Sequence, residues 1–169
     1  MYAETYERIG EFRWNDRVEL TVTLAKKQAR QKAILRWKLQ LGGPQTPGRR
    51  TVDAIRSCLQ EWIDRARGGL LFPLAQVLTG HGCIGDYLCR IERERTARCH
   101  YCAAGRNSAQ HTLAECPAWA DQRGALVSVV GAYLSLPAVV RAMVASEQKL
   151  KEVSSFCDQV MRQKEDAGR

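Results

Sequence analysis

The feature that most constrains the fold of this chain is an 18-residue stretch, CHYCAAGRNSAQHTLAEC, which runs from Cys99 to Cys116. Cys99 and Cys102 have the Cys-x2-Cys spacing of a tight turn that points two sulfurs at one ion, and His111 and Cys116 follow at short spacing. Thiolate and imidazole ligands suit zinc better than magnesium or calcium. We therefore predict a closed tetrahedral Zn²⁺ site with the ligands Cys99, Cys102, His111 and Cys116.

Other nearby residues offer alternative ligands. His100 is a rival, but it lies inside the Cys-x2-Cys turn, where its side chain would splay away from the ion. His81 and Cys83, in the sequence GHGC, are either ligands or phosphate contacts, or else His81 is a buried, hydrogen-bonded residue in a glycine-flanked turn. Glu115 lies close enough to suggest a hydrolase or a deaminase. However, a catalytic zinc keeps one coordination position open, and the deaminase signature is absent, so we predict no enzyme activity.

The cysteine content and the apolar runs of the sequence predict the cellular compartment of the protein. Seven cysteines, with no apolar leader near Met1, favour free thiols in a reducing environment and therefore an intracellular protein, nuclear or cytoplasmic. The most apolar run, residues 125–140, is interrupted by Ser, Gly and Pro and is shorter than the roughly 20 residues that a membrane span needs. We predict no membrane association.

The net charge of +8 is concentrated in one segment. Residues 20–50 carry eight Lys or Arg and no acidic residue, whereas the preceding 19 residues are net negative. A block of this kind is typical of proteins that bind a polyanion, most commonly nucleic acid, although a solvated helix face would look the same. The predicted contacts also include two arginines that follow the basic helix and two that lie near the cysteines. The full set is Lys26, Lys27, Arg30, Lys32, Arg36, Lys38, Arg49, Arg50, Arg95 and Arg98.

The apolar periodicity predicts an all-α fold, a helical domain organised around the small Cys-Cys-His-Cys knuckle. A basic helix over residues 17–41 is expected to begin at a cap from Asn15 or Asp16 and to end at the Gly/Pro stretch 42–48. A second helix is expected from a Thr51 cap to Gly68. Further helices are expected after Pro73, Pro117 and Pro137 and over residues 147–165. The predicted organisation is an N-terminal helical segment (1–48), a helical core (49–98), the knuckle (99–116) and C-terminal helices that pack on the core (117–169).

Two motifs together resemble a known family. LAQVLTGHGCIGDYLCRI, followed by CHYC and HTLAECPAWADQR, is similar to the C-terminal region of insect non-LTR (LINE-type) retrotransposon reverse transcriptase polyproteins. The resemblance covers roughly residues 35–165. It implies a zinc knuckle that helps to grip RNA or target DNA, with the four ligands named above. The chain has no Tyr-x-Asp-Asp motif, so it is either an excised polyprotein domain or a free-standing derivative kept by a host.

Three hypotheses follow from these patterns. The first is a zinc-stabilised module that binds RNA or DNA without catalysis of its own. The second is a protein-interaction module, in which the N-terminal helix or the helix over residues 147–165 docks on another chain. The third is a metalloenzyme, which would need an open metal position. The oligomeric state is not encoded in any of these patterns.

Overall fold

The computed structural model describes residues 2–65 and 70–168, and for residues 2–17 it describes the backbone only. Within these ranges the chain is all-helical and contains no strand, which confirms the predicted fold class. None of the helices in the described ranges is both long enough and apolar enough to cross a membrane. The elements are α1 (Tyr2–Gln40), α2 (Arg49–Arg56), α3 (Leu59–Asp64), α4 (Phe72–Thr79), α5 (Gly85–Arg90), a π-helical turn (His111–Glu115), a 3-10 turn (Pro117–Trp119), α6 (Ala120–Val130), α7 (Leu136–Ala145) and α8 (Glu147–Ala167).

The chain divides into two compact units, Met1–Pro44 and Gln45–Arg169. The first contains α1, which begins at Tyr2 and not at the predicted cap, Asn15 or Asp16. The prediction was wrong because Asn and Asp in a helix interior lose only about 0.7 kcal/mol of helix propensity, and no proline interrupts the sequence before them. Large apolar side chains of α1, including those of Leu20 and Trp37, are exposed.

The second unit has one apolar core, at the centre of which lies α8. Helices α4, α6 and α7 pack against α8, and α2 and α3 pack against α7. The apolar face of α8 recurs at the helical spacing expected from the sequence, and its buried members include Val153, Phe156 and Met161. Burial of this face holds the surrounding helices in place.

The predicted helix from Thr51 to Gly68 is two helices. The predicted cap at Thr51 was wrong, because α2 begins at Arg49 after Gly48, which has the left-handed conformation. Thr51 therefore lies inside the first turn, and its hydroxyl donates to the Leu78 carbonyl oxygen at 2.8 Å. The chain breaks at Cys58, where φ is −126° and ψ is 36°. The break turns Cys58 and Leu59 into the core. The predicted end at Gly68 lies outside the described residues.

The sequence TGHG forms the sharp turn between α4 and α5. Gly80 caps α4 with φ at 74°, and Gly82 has φ at 75°. Both values lie in the left-handed region, which a residue with a Cβ atom adopts only at a cost. At Gly82 a Cβ atom would also collide with the buried side chain of Gln76. Both glycines of the motif are therefore required by the backbone.

Replacement of Gly82 by alanine is expected to lower the free energy of unfolding by about 1–2 kcal/mol, because the added Cβ atom is strained in the left-handed region and crowds Gln76. Gly124→Ala is the matched control. Gly124 lies inside α6, and a Cβ atom added there would meet no other atom within 4 Å, so alanine should stabilise the protein by about 0.5–1 kcal/mol. Urea unfolding followed by circular dichroism measures both changes. Equal effects of the two substitutions on the free energy of unfolding would contradict the strained left-handed conformation at Gly82.

Candidate metal centre and basic residues

The four predicted ligands come together in the second unit. Their ligand atoms all lie within 4.8 Å of one another. The Sγ atoms of Cys99 and Cys116 are 3.8 Å apart, and the Sγ atom of Cys102 is 3.3 Å from Nε2 of His111. Ligands that surround one tetrahedral zinc ion, with Zn–S about 2.3 Å and Zn–N about 2.0 Å, are separated by roughly 3.5–3.8 Å. The donor set and its spacing therefore fit a single metal ion.

Local backbone geometry produces this convergence. The amide of Cys99 donates to the carbonyl of Ala104 at 3.0 Å and closes the Cys-x2-Cys turn. The amide of Cys116 donates to the carbonyl of His111 at 2.7 Å, which closes a π-helical turn. Two residues five positions apart diverge on a straight α-helix, but a π-turn spans five residues and brings both ends to the same side.

The orientation of His111 is set by its neighbours. Its Nδ1 atom lies 3.5 Å from a carboxylate oxygen of Glu115, and its Nε2 atom is the one that faces the sulfurs. A carboxylate on the second ring nitrogen commonly fixes the tautomer of a metal-binding histidine. Glu115 is thus placed to support His111. His100 lies outside the cluster, with its Nε2 atom 3.6 Å from a carboxylate oxygen of Glu94.

The cluster lies against the apolar core. Cys99 and Cys116 are buried, and burial raises the pKa of the Cys116 thiol to about 11. A thiol in that environment stays protonated at neutral pH unless a bound cation stabilises the thiolate. Arg123 closes the end of the π-turn, since its guanidinium donates to the carbonyl oxygens of Leu113 at 3.1 Å and of Cys116 at 2.7 Å.

A buried lysine lies beside the cluster. Lys164 of α8 is 3% exposed, and its ammonium group donates to Oγ1 of Thr112 at 2.7 Å and to Oδ1 of Asn107 at 3.2 Å. Desolvation lowers the pKa of Lys164 to about 8, while the nearby thiols, Cys99 and Cys116 foremost, act in the opposite direction. The α8 ammonium group is therefore a positive charge held close to the sulfurs.

Lys164 and the residues around it were missed by the sequence reasoning, although one signal was present. Lys164 follows Val160 and Met161 at four and three residues, so it continues the apolar face of α8. A lysine on such a face is either exposed at the end of the helix or buried against a partner. No sequence signal distinguishes Asn107 or Arg123 from ordinary loop and helix residues.

The predicted nucleic-acid contacts fall into three places. The six on α1 are all exposed. Arg49 and Arg50 begin α2, and Arg50 is half-buried, with Nη1 donating to the carbonyl oxygens of Val77 and Leu78. Arg95 and Arg98 lie exposed in the loop before Cys99. Among the other candidates, His81 is exposed against Tyr87 and lies, like Cys83, outside the ligand cluster.

These features define the class of protein: an all-helical chain whose second unit is organised around a Cys3His group that could hold a metal ion. Over 96 residues the chain is 35% identical to the retrovirus-related Pol polyprotein from type-1 retrotransposable element R1 4 of the insect Nasonia vitripennis. The match covers 55% of this chain and 24% of that polyprotein, so the chain spans about a quarter of its relative. No family model and no solved structure matches. The similarity supports a retrotransposon origin.

Proposed function

We propose that this chain is a zinc-stabilised nucleic-acid-binding module derived from a retrotransposon polyprotein, which grips RNA or target DNA without catalysis of its own. The observation that carries the proposal is the acid-free basic segment, residues 20–50, whose six α1 cations are all exposed. Exposed cations at this density favour binding to a phosphate backbone. The similarity to a Pol polyprotein supports the same class of ligand.

The metal in this proposal is Zn²⁺ in a structural role. The residues that would hold it are Cys99, Cys102, His111 and Cys116, and three sulfurs with one nitrogen are a common structural zinc set. The bound ion would supply a cross-link between the Cys-x2-Cys turn and the π-turn. Four protein donors leave no open position, which argues against the metalloenzyme hypothesis.

A cobalt-substituted sample should show the absorption spectrum of a tetrahedral three-sulfur, one-nitrogen site. A spectrum with a water ligand would instead revive the metalloenzyme hypothesis.

Binding to single-stranded RNA and DNA is expected to weaken steeply with salt, because each neutralised phosphate releases a counterion. The triple variant Lys26→Gln, Lys27→Gln and Lys32→Gln should weaken binding and reduce the slope of log K against log salt by about 2, on the basis of roughly 0.7 per phosphate contact. Fluorescence anisotropy with a labelled strand over a salt series measures both quantities.

The control for this experiment removes three cations from exposed positions of the second unit, with the substitutions Arg141→Gln, Lys151→Gln and Arg162→Gln. This variant has the same net charge as the α1 variant, so a general charge effect would weaken binding equally in both. No binding by the unmodified chain near micromolar concentration, or a binding constant that is flat with salt, would contradict the proposed function.

A protein-interaction module is the second candidate, and one observation favours it. Between Val18 and Leu39, helix α1 exposes apolar side chains, including those of Leu24 and Leu35. Apolar side chains in such a row are typical of a helix that packs on another chain. A stable complex with a purified protein partner, formed while RNA and DNA fail to bind, would favour this candidate over the first.

A further inference from the structure

A second group of basic residues lies within the Gln45–Arg169 unit. A cavity of about 690 Å³ is bounded by the start of α2, the end of α4, helix α5 and the loop before the π-turn. Four arginines line it, Arg49, Arg50, Arg90 and Arg106, together with one acidic residue, Asp86, so its lining has a net charge of +3. We refer to this cavity as the arginine cleft. Arg106 was not among the predicted contacts.

Two of the four arginines are held in place by the fold. Nη1 of Arg50 donates to the carbonyl oxygens of Val77 at 2.9 Å and Leu78 at 2.8 Å. Its Nη2 atom is buried and has no hydrogen-bond acceptor among the described residues. Nε of Arg106 lies 2.9 and 3.0 Å from the two carboxylate oxygens of Asp86. This ion pair also neutralises the one acidic residue that lines the cleft. Arg50 and Arg106 therefore add fixed positive charge to the walls of the cleft.

The backbone adds to the positive potential of the arginine cleft. Gly48 lines the cleft and precedes α2, which has no side-chain cap and no acidic residue in its first turn. The N-terminus of a helix carries a partial positive charge and attracts phosphate. Arg49, the exposed first residue of α2, lines the same end of the cleft, so a side-chain charge and the helix N-terminus both favour an anion there.

An aromatic side chain distinguishes the arginine cleft from a simple anion site. Tyr87 lines the cleft, half-buried, with the Arg90 guanidinium 5.3 Å from its ring centroid and the ring of His81 at its edge. Arginines beside a tyrosine are the combination that binds single strands, since the guanidinium groups contact phosphates and the ring contacts a base. The volume falls in the range of pockets for small ligands, which suits a nucleotide-sized segment rather than the face of a duplex.

We infer that the arginine cleft binds the sugar–phosphate backbone of a single nucleic-acid strand, an inference that rests on the proposed function and locates a site for it in the second unit. The wall that contains Arg106, Ser108 and Gln110 belongs to the loop between Cys102 and His111. The metal centre therefore shapes one side of the cleft without contacting the strand. This division of roles separates the ligands that hold the metal from the arginines that hold the phosphates.

The test compares two double variants of the full-length chain with equal net charge. Arg49→Gln with Arg90→Gln alters the cleft, and Arg141→Gln with Arg162→Gln alters exposed cations outside it. Binding of labelled single-stranded RNA and DNA is measured by anisotropy across a salt series. The cleft variant is expected to bind about tenfold more weakly and with a salt slope lower by about 1.4, whereas the control should change less than about twofold.

The outcomes separate this inference from the proposed function. If the unmodified chain binds a strand and the two double variants bind it equally, the inference is overturned while the proposed function stands. If the unmodified chain binds no strand, both are overturned. A duplex that binds the cleft as tightly as a single strand, with the same loss in the cleft variant, also overturns the single-strand assignment.

Discussion

Replacement of Cys116 by serine is expected to abolish binding of the proposed zinc ion and to destabilise the Gln45–Arg169 unit by about 4 kcal/mol or more. Structural zinc contributes apparent free energies of about 10–16 kcal/mol in small zinc-binding peptides, whereas whole domains are stable by only about 5–15 kcal/mol. Cys116 is buried in the core and terminates the π-turn, so serine there leaves both the metal and the turn unsupported. The melting temperature should fall by about 15 °C or more, or cooperative unfolding should disappear.

Cys157→Ala is the matched control, because Cys157 is equally buried and lies outside the ligand cluster. It should retain one equivalent of zinc and lose only about 1–2 kcal/mol from a small cavity. Zinc content is measured by mass spectrometry of the metal, and stability by thermal unfolding with and without a chelator. An unmodified chain that contains no zinc, and whose melting temperature a chelator leaves unchanged, would contradict the proposed metal centre.

Replacement of Lys164 by methionine is expected to weaken zinc binding by about 10- to 100-fold, the range found when residues that support metal ligands are changed. Three thiolates and one imidazole around the proposed Zn²⁺ would have a net charge of −1, and the buried Lys164 ammonium group would compensate that charge at close range. With zinc bound, loss of the ammonium group and of its hydrogen bonds to Thr112 and Asn107 should cost about 2–3 kcal/mol.

The sign of the stability change distinguishes this role from simple packing. In the metal-free chain there is no zinc–thiolate group for the ammonium group to compensate and the buried charge is itself a cost, so methionine should be neutral or stabilising there. Lys151→Met, on an exposed face of the same helix, should change neither the zinc affinity nor the stability. Zinc affinity is measured by competition with a chelator, and stability by urea unfolding of the metal-free and metal-bound forms. An equal loss of stability in both forms would show that Lys164 only fills space.

The substitutions at Cys116 and Lys164 test two parts of the site, of which only the first could be predicted from the sequence. Cys116 belongs to a set of ligands that is encoded within 18 residues, and the structure brings all four members together. Lys164 reaches the cluster from a helix 48 residues further along the chain than Cys116. Its position on the apolar face of α8 hinted at burial, but its partners, Asn107 and Thr112, become apparent only once α8 packs against the loop.

Some helix boundaries could likewise be predicted from local sequence, and others could not. Prolines at the start of α4 and α7, and the periodicity of α8, are local signals, and the predicted helices occur where those signals lie. The start of α1 and the break at Cys58 were predicted wrongly. The break follows from the core, because the bend buries Cys58 and Leu59, and local propensity contains no information about that burial.

The sequence by itself determined the all-α class, the group of three cysteines and one histidine, and the concentration of positive charge, since each depends on residues within a few turns of one another. Only the tertiary structure decided the π-turn that joins His111 to Cys116, the burial of Lys164, and the meeting of Arg49, Arg90 and Arg106 in one cleft. The physical reason is that local spacing fixes which side chains share a turn. Contacts between distant segments depend instead on which packing of the helices buries the most apolar surface.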